Sequence, residues 1–462
     1  MLSILINAYA CSPNMGSEPG MAWNWCVNLA KYCELYIITE GEFQEKIEAV
    51  LPTLPQAKNM HFYYNPVSDE IRKMCWNQGD WRFYIHYKKW QQKTLAIAKQ
   101  IIKENNIDII HQLNMIGFRE PGYLWSLDKP FIWGPTNAKE AFPIAYLDGA
   151  TWQKVLFIKI KNLINKNQLR FATRVHKAAQ KASFIIAAST DSANAIKKYF
   201  KCTPILINES GCDITANNIS RSFEKNRPLE VLWVGRFIFT KQLIIALETL
   251  AACKNPNIKL HIVGGSAEEE QPFKEISEKL SIQKQCVWYE KVPHEKVQSL
   301  MQQCDLFFFT SIAEGTPHVI LEAFNNLLPV LCFNTCGHGD CVNDKVGIKI
   351  DLSTPKQSVK EFASILNTLE KDREILRTFS TNCIQRQEEL SWDNKMPALF
   401  LILLKQEQGE PLYLLIIHTF KGLKPEKNLP HLVKLRLVCL LLRLVCRDCC
   451  KELPLYVRLP LI

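Results

Sequence analysis

The stretch CDLFFFTSIAEGTPHVILEAFNNLLPV, residues 304–330, contains the strand, loop and helix around which the rest of the chain is organised. The uninterrupted apolar run Leu306–Phe309 predicts a strand buried on both faces, as in a parallel sheet. After a polar loop, Thr316 offers a side-chain oxygen that can cap a helix, and Pro317 suits the first helical position, where no N–H is needed. The stretch therefore predicts a strand-loop-helix unit of an α/β sheet.

Two glutamates of this unit, Glu314 and Glu322, are separated by seven residues. Glu314 lies in the predicted loop, and Glu322 leans back toward the same helix N-terminus because helical side chains tilt that way. The backbone amides of the first helical turn can bind an anion. The unit can therefore hold a ligand with phosphates at one end and hydroxyls at the other, such as a nucleotide sugar. The alternative is an ordinary strand-loop-helix unit whose two glutamates are merely solvated.

The length of 462 residues predicts two domains. The net charge of +10 favours an acidic partner or surface. The 17 cysteines are mostly isolated in apolar segments, and residues 1–10 lack the basic leader of a secretory signal, so we expect reduced thiols in a cytoplasmic protein. The sequence contains no apolar run of the length that crosses a bilayer.

The first predicted strand, residues 3–8, is followed by the loop YACSPNMGSEPG and a predicted helix at 21–31. A glycine-bearing loop at this place lets the backbone approach a ligand at the carboxyl edge of a parallel sheet, which makes Gly16, Glu18 and Gly20 candidates. The alternative is a plain surface turn.

Alternating strands and helices continue along both halves. His111 ends a predicted strand, where it can hydrogen-bond a substrate hydroxyl or polarise a reaction centre, although a structural role is the alternative. In the second half, a strand at 231–234 ends in Gly235 and Arg236, and Lys241 precedes the next helix. Further strands are predicted at 260–263, 287–289, 306–309, 330–333 and 347–350.

Between Asp148 and Asp191 the chain has no acidic residue and many basic ones among large apolar side chains. Such a segment, residues 150–183, can lie on an anionic membrane surface, and a solvated helical face is the alternative. Nucleic acid is not expected as a partner, because no recognisable binding motif accompanies the charge.

The run from 208 to 227 predicts a crossing between two domains, which we place at residues 1–205 and 206–395. From about 396 the composition becomes rich in Leu, Arg, Lys and Cys without a clear period or cap. We therefore expect 396–462 to be an atypical tail outside both domains, either a disordered or membrane-surface extension or the product of a frameshift.

Four motifs in order resemble the retaining glycosyltransferases of family 4. They are CSPNMGSEPG at 11–20, HQLNMIGFREP at 111–121, VGR at 234–236 with Lys241 shortly after, and EGTPHVILE at 314–322, the last resembling the family's E-x7-E motif. The resemblance spans roughly residues 1–395. It implies the GT-B architecture, an α/β fold with two doubly wound Rossmann-like domains that face each other across a cleft.

The resemblance also implies residue roles. Arg236 and Lys241 would bind the donor diphosphate, Glu322 the ribose and Glu314 the transferred sugar, while Gly16 would lie against the phosphates and His111 would face the reacting sugar. The predicted catalytic residues are His111, Glu314, Arg236 and Lys241, and the predicted donor-binding residues are Gly16, Gly235, Arg236, Lys241, Glu314, Gly315, Thr316 and Glu322. A UDP- or GDP-linked sugar is the expected donor, with no metal site and no required cofactor.

The sequence departs from the family pattern at three places. The chain has TNAKE after Gly134 and Pro135, where many relatives have glycines, and Gln242 follows Lys241 where glycine is common. Leu327 stands where a glycine often ends the helix, and we expect Asn325 or Asn326 to take the left-handed conformation instead.

The expected function is transfer of a sugar from a nucleotide sugar to a glycan or lipid-linked acceptor, in bacterial surface polysaccharide or glycolipid synthesis at the inner face of the plasma membrane. The alternatives are a catalytically silent scaffold that keeps the fold and a sugar-nucleotide epimerase. A nicotinamide oxidoreductase is not favoured, because neither glycine-bearing loop completes G-x-G-x-x-G.

Overall fold

The structure is a computed structural model that describes residues 1–77, 80–147, 150–214 and 219–407, with residues 405–407 described by their backbone alone. Two parallel sheets, one in each half of the chain, are flanked by helices. The predicted pair of doubly wound Rossmann-like domains is thereby confirmed.

The strands of the first domain are β1 (Leu2–Ala8), β2 (Cys33–Thr39), β3 (Met60–Tyr64), β4 (Ile109–Asn114), β5 (Phe131–Thr136), β6 (Ala182–Ala187) and β7 (Ile205–Leu206). They form one parallel sheet in the order β3-β2-β1-β4-β5-β6-β7. Central strand β1 is apolar and almost fully buried because helices cover both faces of the sheet. The sequence did not predict β3, a half-buried edge strand, or β7, which has two residues.

The helices of this domain connect successive strands. They are α1 (Ser17–Leu29), α2 (Gln44–Val50), α3 (Asp69–Trp76), α4 (Phe83–Glu104), α5 (Trp152–Phe171), α6 (Thr173–Lys181) and α7 (Thr190–Phe200). Helix α5 differs from the others, because Leu169 is its one fully buried residue.

The strands of the second domain are β8 (Leu229–Val234), β9 (Ile258–Gly265), β10 (Cys286–Glu290), β11 (Leu306–Phe309), β12 (Val330–Phe333) and β13 (Gly347–Ile350). Their order is β10-β9-β8-β11-β12-β13. The helices are α8 (Leu243–Cys253), α9 (Ala267–Lys279), α10 (His294–Gln303), α11 (His318–Asn325), α12 (Cys336–Cys341), α13 (Pro355–Lys371) and α14 (Arg373–Leu390). The bounds predicted for β11, β12 and β13 are confirmed residue for residue.

Two positions where the family pattern favours glycine have left-handed backbone in this chain. Gln242 has φ of 52° and Leu327 also has φ of 52°. The expectation that Asn325 or Asn326 would take the left-handed conformation is therefore wrong. Asn326 stays at φ of −96° because its side chain bonds the Glu322 carbonyl within the helix, so the turn falls on Leu327.

The last helix, α15 (Trp392–Glu407), returns to the first domain. Met396, Leu399 and Leu403 are buried in the first domain's core, and the Trp392 ring lies 6.3 Å from that of Trp25. The structure therefore places the helix up to Leu403 with the first domain, whereas we expected the tail to begin at 396. The remaining tail, residues 408–462, lies outside the described residues.

The loop after β5 joins the two domains. Tyr146 is buried in the second domain's core, and its hydroxyl lies 2.8 Å from the Ser358 Oγ. On the other side of the cleft, the Asp191 carboxylate accepts hydrogen bonds of 3.0 Å from the Thr335 hydroxyl and the Cys336 amide. In the ranges that the structure covers, no helix has both the length and the apolar character needed to cross a membrane.

Candidate active site

The loop between β11 and α11 differs from the prediction at its capping residue. Pro317 occupies the N-cap of α11 and no side chain caps the helix, so the expectation that Thr316 caps it is wrong. A carboxylate from elsewhere in the chain contacts the backbone of this loop instead. The Thr316 amide donates to Glu209 Oε1 at 2.6 Å, and the buried Thr316 hydroxyl finds no partner among the described residues.

Lys241 and Glu314 meet at the carboxyl ends of β8 and β11. Lys241 Nζ lies 2.7 Å from Glu314 Oε1, which also accepts a 2.7 Å hydrogen bond from the Ser311 hydroxyl. The Lys241 ammonium also lies 5.0 Å from the centre of the Phe309 ring. The side chains of Lys241 and Glu314 are 14% and 20% exposed. The ion pair is therefore more shielded from solvent than a surface ion pair, but a ligand can still reach it.

Arg236 is the free cation of this site. It is exposed just after β8, and its guanidinium makes no hydrogen bond or ion pair within the described part of the chain. The backbone beside it is tightly packed, because a Cβ at Gly264, where φ is +130°, would lie 2.2 Å from the Gly235 carbonyl oxygen. Glycine at 264 therefore lets the ends of β8 and β9 approach, and the Arg236 side chain remains available for an anion.

Glu322 lies one helix turn away from the loop and faces α10. Its Oε2 accepts a 3.2 Å hydrogen bond from Gln298 Nε2, and its Oε1 lies 3.5 Å from His294 Nε2. Glu314 instead pairs with Lys241. The two glutamates of the E-x7-E motif thus have different neighbours, and a ligand that contacts both must extend along the N-terminal half of α11.

Gly16 and Glu18 lie at the start of α1 in the first domain. Gly16 is the exposed N-cap residue, with open space where a Cβ would be. The Glu18 carboxylate accepts a 3.2 Å hydrogen bond from the Ile116 amide, and burial with the nearby Glu209 raises the pKa of Glu18 to about 8. Glycine is needed at position 20 for packing, since a Cβ there would lie 1.8 Å from the Met15 carbonyl oxygen.

His111 does not face an open cleft in the structure. Its side chain is almost fully buried, with Nε2 2.6 Å from the Gly134 carbonyl oxygen and its ring 5.9 Å from that of Trp25. Burial lowers the pKa of His111 to about 4, so the ring is neutral at physiological pH. The structure does not bring His111 into contact with the Lys241 and Glu314 pair.

Glu209 is a residue that the sequence reasoning missed. It lies in the connection between the domains and is 8% exposed; its Oε2 has no partner among the described residues. Burial raises its pKa to about 7, with a smaller contribution from Glu314, while the bond from the Thr316 amide opposes the shift. Gly315 is the one residue in the sequence that hints at this contact, because a Cβ at position 315 would lie 2.1 Å from Glu209 Oε1.

Lys139 is a second missed residue, in the loop where relatives have glycines. Its Nζ lies 3.1 Å from the Ile312 carbonyl oxygen and 3.1 Å from Cys336 Sγ. The same sulfur lies 3.4 Å from the Glu314 amide nitrogen. The first domain thus contributes a cation beside the loop that contains Glu314.

Residues 215–386 match the family model described as Glycosyl transferases group 1. Solved structures resemble nearly the whole chain. HepE (Alr3699) of Anabaena in complex with UDP has a TM-score of 0.54 at 16% identity, over 88% of this chain and 100% of that one. The chain has the GT-B fold.

Two further GT-B structures give the same result. The lipopolysaccharide outer core galactosyltransferase WaaB in its apo form has a TM-score of 0.58 at 15% identity, over 88% of this chain and 99% of that one. Sucrose-phosphate synthase from Thermosynechococcus elongatus has a TM-score of 0.58 at 14% identity, over 89% of this chain and 100% of that one. At these identities the likeness establishes the fold alone. None of the proteins with curated functions matches the chain.

Proposed function

We propose that the chain is a retaining glycosyltransferase that moves a hexosyl group from a UDP- or GDP-linked sugar to a glycan or lipid-linked acceptor in bacterial surface polysaccharide synthesis. One observation supports this proposal above the others. Within the segment that matches the family model, Lys241 pairs with Glu314 and its side chain packs next to Gly235, the residue before the exposed Arg236. The similarity to HepE, which was solved with UDP-glucose, supports a nucleotide-sugar donor.

In the proposed donor complex, Arg236 and Lys241 bind the diphosphate and Glu314 binds the transferred sugar. Glu322 binds the ribose. The backbone at Gly16, Gly235, Gly315 and Thr316 lies against the donor. Lys241 already holds a carboxylate at 2.7 Å, so a phosphate oxygen takes up an existing geometry in place of, or beside, Glu314.

The proposed chemistry depends on charge separation. Cleavage of the sugar-phosphate bond places negative charge on the departing diphosphate and positive charge on the sugar. Fixed cations at Arg236 and Lys241 therefore stabilise the transition state more than the ground state. The anomeric configuration of the sugar is retained because the acceptor hydroxyl attacks the same face of the sugar from which the diphosphate departs. His111 would act as a neutral group that positions the end of β5 through the Gly134 carbonyl, and the proposal needs no metal ion.

We also propose that α5 holds the protein on an anionic membrane at the cytoplasmic face. The exposed large apolar residues of this helix are Trp152, Leu156, Phe157, Ile160, Leu163, Ile164 and Phe171. At 100° per residue they fall within an arc of roughly 140°, with basic residues on both flanks. Apolar side chains that enter the interface beside lysines that contact phosphates are typical of helices that lie on a membrane.

A thermal-shift experiment tests the donor site. Full-length protein is screened against UDP, GDP, ADP and their common sugar conjugates, with Lys241→Ala as the test variant and the exposed Lys284→Ala as the control. We expect one nucleotide series to stabilise wild type and control, by about 2.7 kcal/mol at 100 times Kd, and to lose this effect in Lys241→Ala. No shift with any nucleotide from a folded sample would support the silent-scaffold alternative. Conversion of the donor to its epimer without an acceptor would support the epimerase.

A further inference from the structure

A pocket of about 330 Å³ lies in the first domain, next to the cleft that the proposed donor site faces. It is bounded by the N-terminal part of α4, the segments 115–120 and 137–142, and the inner face of α5. Tyr84, Tyr87 and Phe118 form part of its wall, together with polar side chains. Its volume is at the lower end of the range for small-molecule sites.

Arg119 lines this pocket as a half-buried cation without a counter-ion. Its Nε donates to Gln168 Oε1 at 2.7 Å, a second nitrogen donates to Asn165 Oδ1, and the guanidinium lies 5.0 Å from the centre of the Phe118 ring. All of these partners are neutral, and no carboxylate among the described side chains of residues 1–77, 80–147, 150–214 and 219–404 pairs with it. Burial accordingly lowers the pKa of Arg119.

Arg174 shows what a paired arginine looks like in the same region. Its guanidinium forms an ion pair with Glu120, the residue next to Arg119, and also bonds the Tyr123 hydroxyl. Glu120 is therefore already neutralised and does not compensate Arg119. Arg119 is thus a half-buried cation with neutral partners at a pocket wall, and an anion bound in the pocket would meet a charge that no carboxylate offsets.

The other charged groups of the pocket increase this positive character. Lys139 bonds a carbonyl oxygen and a sulfur, both neutral, and Lys161 on α5 is exposed at the rim. The remaining carboxyl is Glu18, whose pKa is raised to about 8, so most Glu18 is protonated at neutral pH. An anion in this pocket therefore meets three cations and little opposing charge.

The pocket connects the cleft with the apolar helix. Lys139, at one end, bonds Ile312, two residues before Glu314. At the other end, Ile158 and Asn162 line the pocket from α5, whose opposite face carries the exposed apolar residues. A molecule bound here would have its anionic part beside the cleft and a route for an alkyl chain along α5.

We propose that this pocket binds the phosphate-bearing head group of a lipid-linked acceptor, with Arg119 as the counter-ion of the phosphate. The proposal rests on the proposed transferase function, because it assigns the acceptor class to that reaction. It places the acceptor phosphate at Arg119, the reacting hydroxyl toward Lys139 and Glu314, and the alkyl chain along α5 toward the membrane.

Binding of dodecyl phosphate, kept below its micelle-forming concentration and measured by titration calorimetry on the full chain, tests the proposal. Arg119→Gln removes the charge and Arg119→Lys keeps it without the planar fork. The matched control is Arg377→Gln, an exposed arginine of the second domain. We expect at least a tenfold weaker affinity in Arg119→Gln, a smaller loss in Arg119→Lys and no change in the control. Dodecyl maltoside, which is neutral, should bind at least tenfold more weakly than dodecyl phosphate.

Inorganic phosphate distinguishes the two sources of the anion. Affinity for inorganic phosphate equal to that for dodecyl phosphate would assign the pocket to a water-soluble phosphorylated molecule and overturn the lipid part. Equal binding of dodecyl phosphate by wild type and Arg119→Gln would overturn the site, provided that both unfold at the same temperature. UDP binding is measured in parallel. Its presence in Arg119→Gln shows that the donor site is intact, and its absence in wild type contradicts the proposed function, whatever dodecyl phosphate does.

Discussion

The two sides of the cleft differ in how they hold positive charge. In the second domain, Lys241 is paired with Glu314 at 2.7 Å, and Asp305 binds the guanidinium groups of both Arg227 and Arg373. In the first domain, Arg119 and Lys139 contact amide oxygens, a carbonyl oxygen and a sulfur. A paired cation stays in place before its ligand binds, whereas an unpaired one needs the ligand to complete its environment. In the proposed donor site the paired Lys241 is therefore held in place before a ligand binds while Arg236 stays free, whereas both cations of the proposed acceptor side have only neutral partners.

The largest expected effect concerns the donor side. We expect Arg236→Ala to lower kcat about 100-fold or more, because a contact to the departing diphosphate gains strength as charge develops. Glu322→Ala should instead raise KM for the donor with a smaller change in kcat, since a ribose contact is equally strong before and during transfer. Steady-state kinetics with the nucleotide sugar found by thermal shift measures both.

The control for this pair is Arg377→Ala, which removes an exposed arginine with an ordinary surface partner. Equal and negligible effects of Arg236→Ala and Glu322→Ala would contradict the donor-site assignment. The same result would also remove the distinction between the paired cation of the second domain and the unpaired cations of the first.

The sequence predicted the donor side better than the acceptor side, for a physical reason. Strand β11 and the start of α11 follow from local patterns, an apolar run and a proline, so their bounds were nearly correct. Glu209 contacts Thr316 across 107 residues of sequence, and no local pattern reports such a contact. The local pattern also predicted a Thr316 cap, which is absent.

Helix α15 gives a second example. Its apolar residues have no partner nearby in sequence, so the segment looked like the start of a tail. The partner is the first domain, since Leu399 is buried there together with Trp25. In contrast, the basic segment 150–183 was recognised from composition, and the structure adds which side chains of α5 are exposed. The pocket near Arg119 needs five segments to come together and was not predictable.

The second prediction tests this assignment of α15. Leu399→Ala should lower the free energy of unfolding by about 3 kcal/mol, because it leaves a cavity in the first domain's core. Urea unfolding followed by tryptophan fluorescence measures it, with the exposed Ile384→Ala as control. A change below about 0.5 kcal/mol would show that α15 does not pack on the first domain. A chain that ends at 395 should be less stable still.

The third prediction concerns Glu209, whose carboxyl group lies in the connection between the two domains. The pKa of Glu209 is raised from 4.5 to about 7, so between these values the folded state keeps a proton that the unfolded state has lost. The free energy of unfolding therefore falls as the pH rises through this window, by about 3 kcal/mol for this group. Glu18, Glu314 and Lys395 act on the same group and set the width of the transition.

In Glu209→Gln the amide oxygen can keep the bond from the Thr316 amide without titrating. We expect a flatter dependence of stability on pH from 5 to 8, and higher stability than wild type at pH 8. Urea unfolding at matched ionic strength measures this, with the exposed Glu275→Gln as control. A variant that loses stability with rising pH as steeply as wild type would show that Glu209 is ionised in the folded protein.

The smallest expected effect concerns the membrane side. Phe157 is 62% exposed on the apolar face of α5. Phe157→Glu removes an apolar contact and adds a charge that anionic lipids repel. We expect about a tenfold weaker partition, or about 1.4 kcal/mol, onto vesicles that contain phosphatidylglycerol. Co-sedimentation with vesicles of defined composition measures the bound fraction.

Ile384→Glu is the matched control, because Ile384 is 52% exposed on α14 of the second domain, outside the proposed membrane surface. It should bind vesicles as wild type does. Vesicles of pure phosphatidylcholine should bind all three proteins more weakly, since the flanking lysines then lose their anionic partners. If Phe157→Glu and Ile384→Glu bind equally well, α5 is a solvated helix. The Arg119 pocket then opens to water, and its ligand is a soluble phosphorylated glycan rather than a lipid.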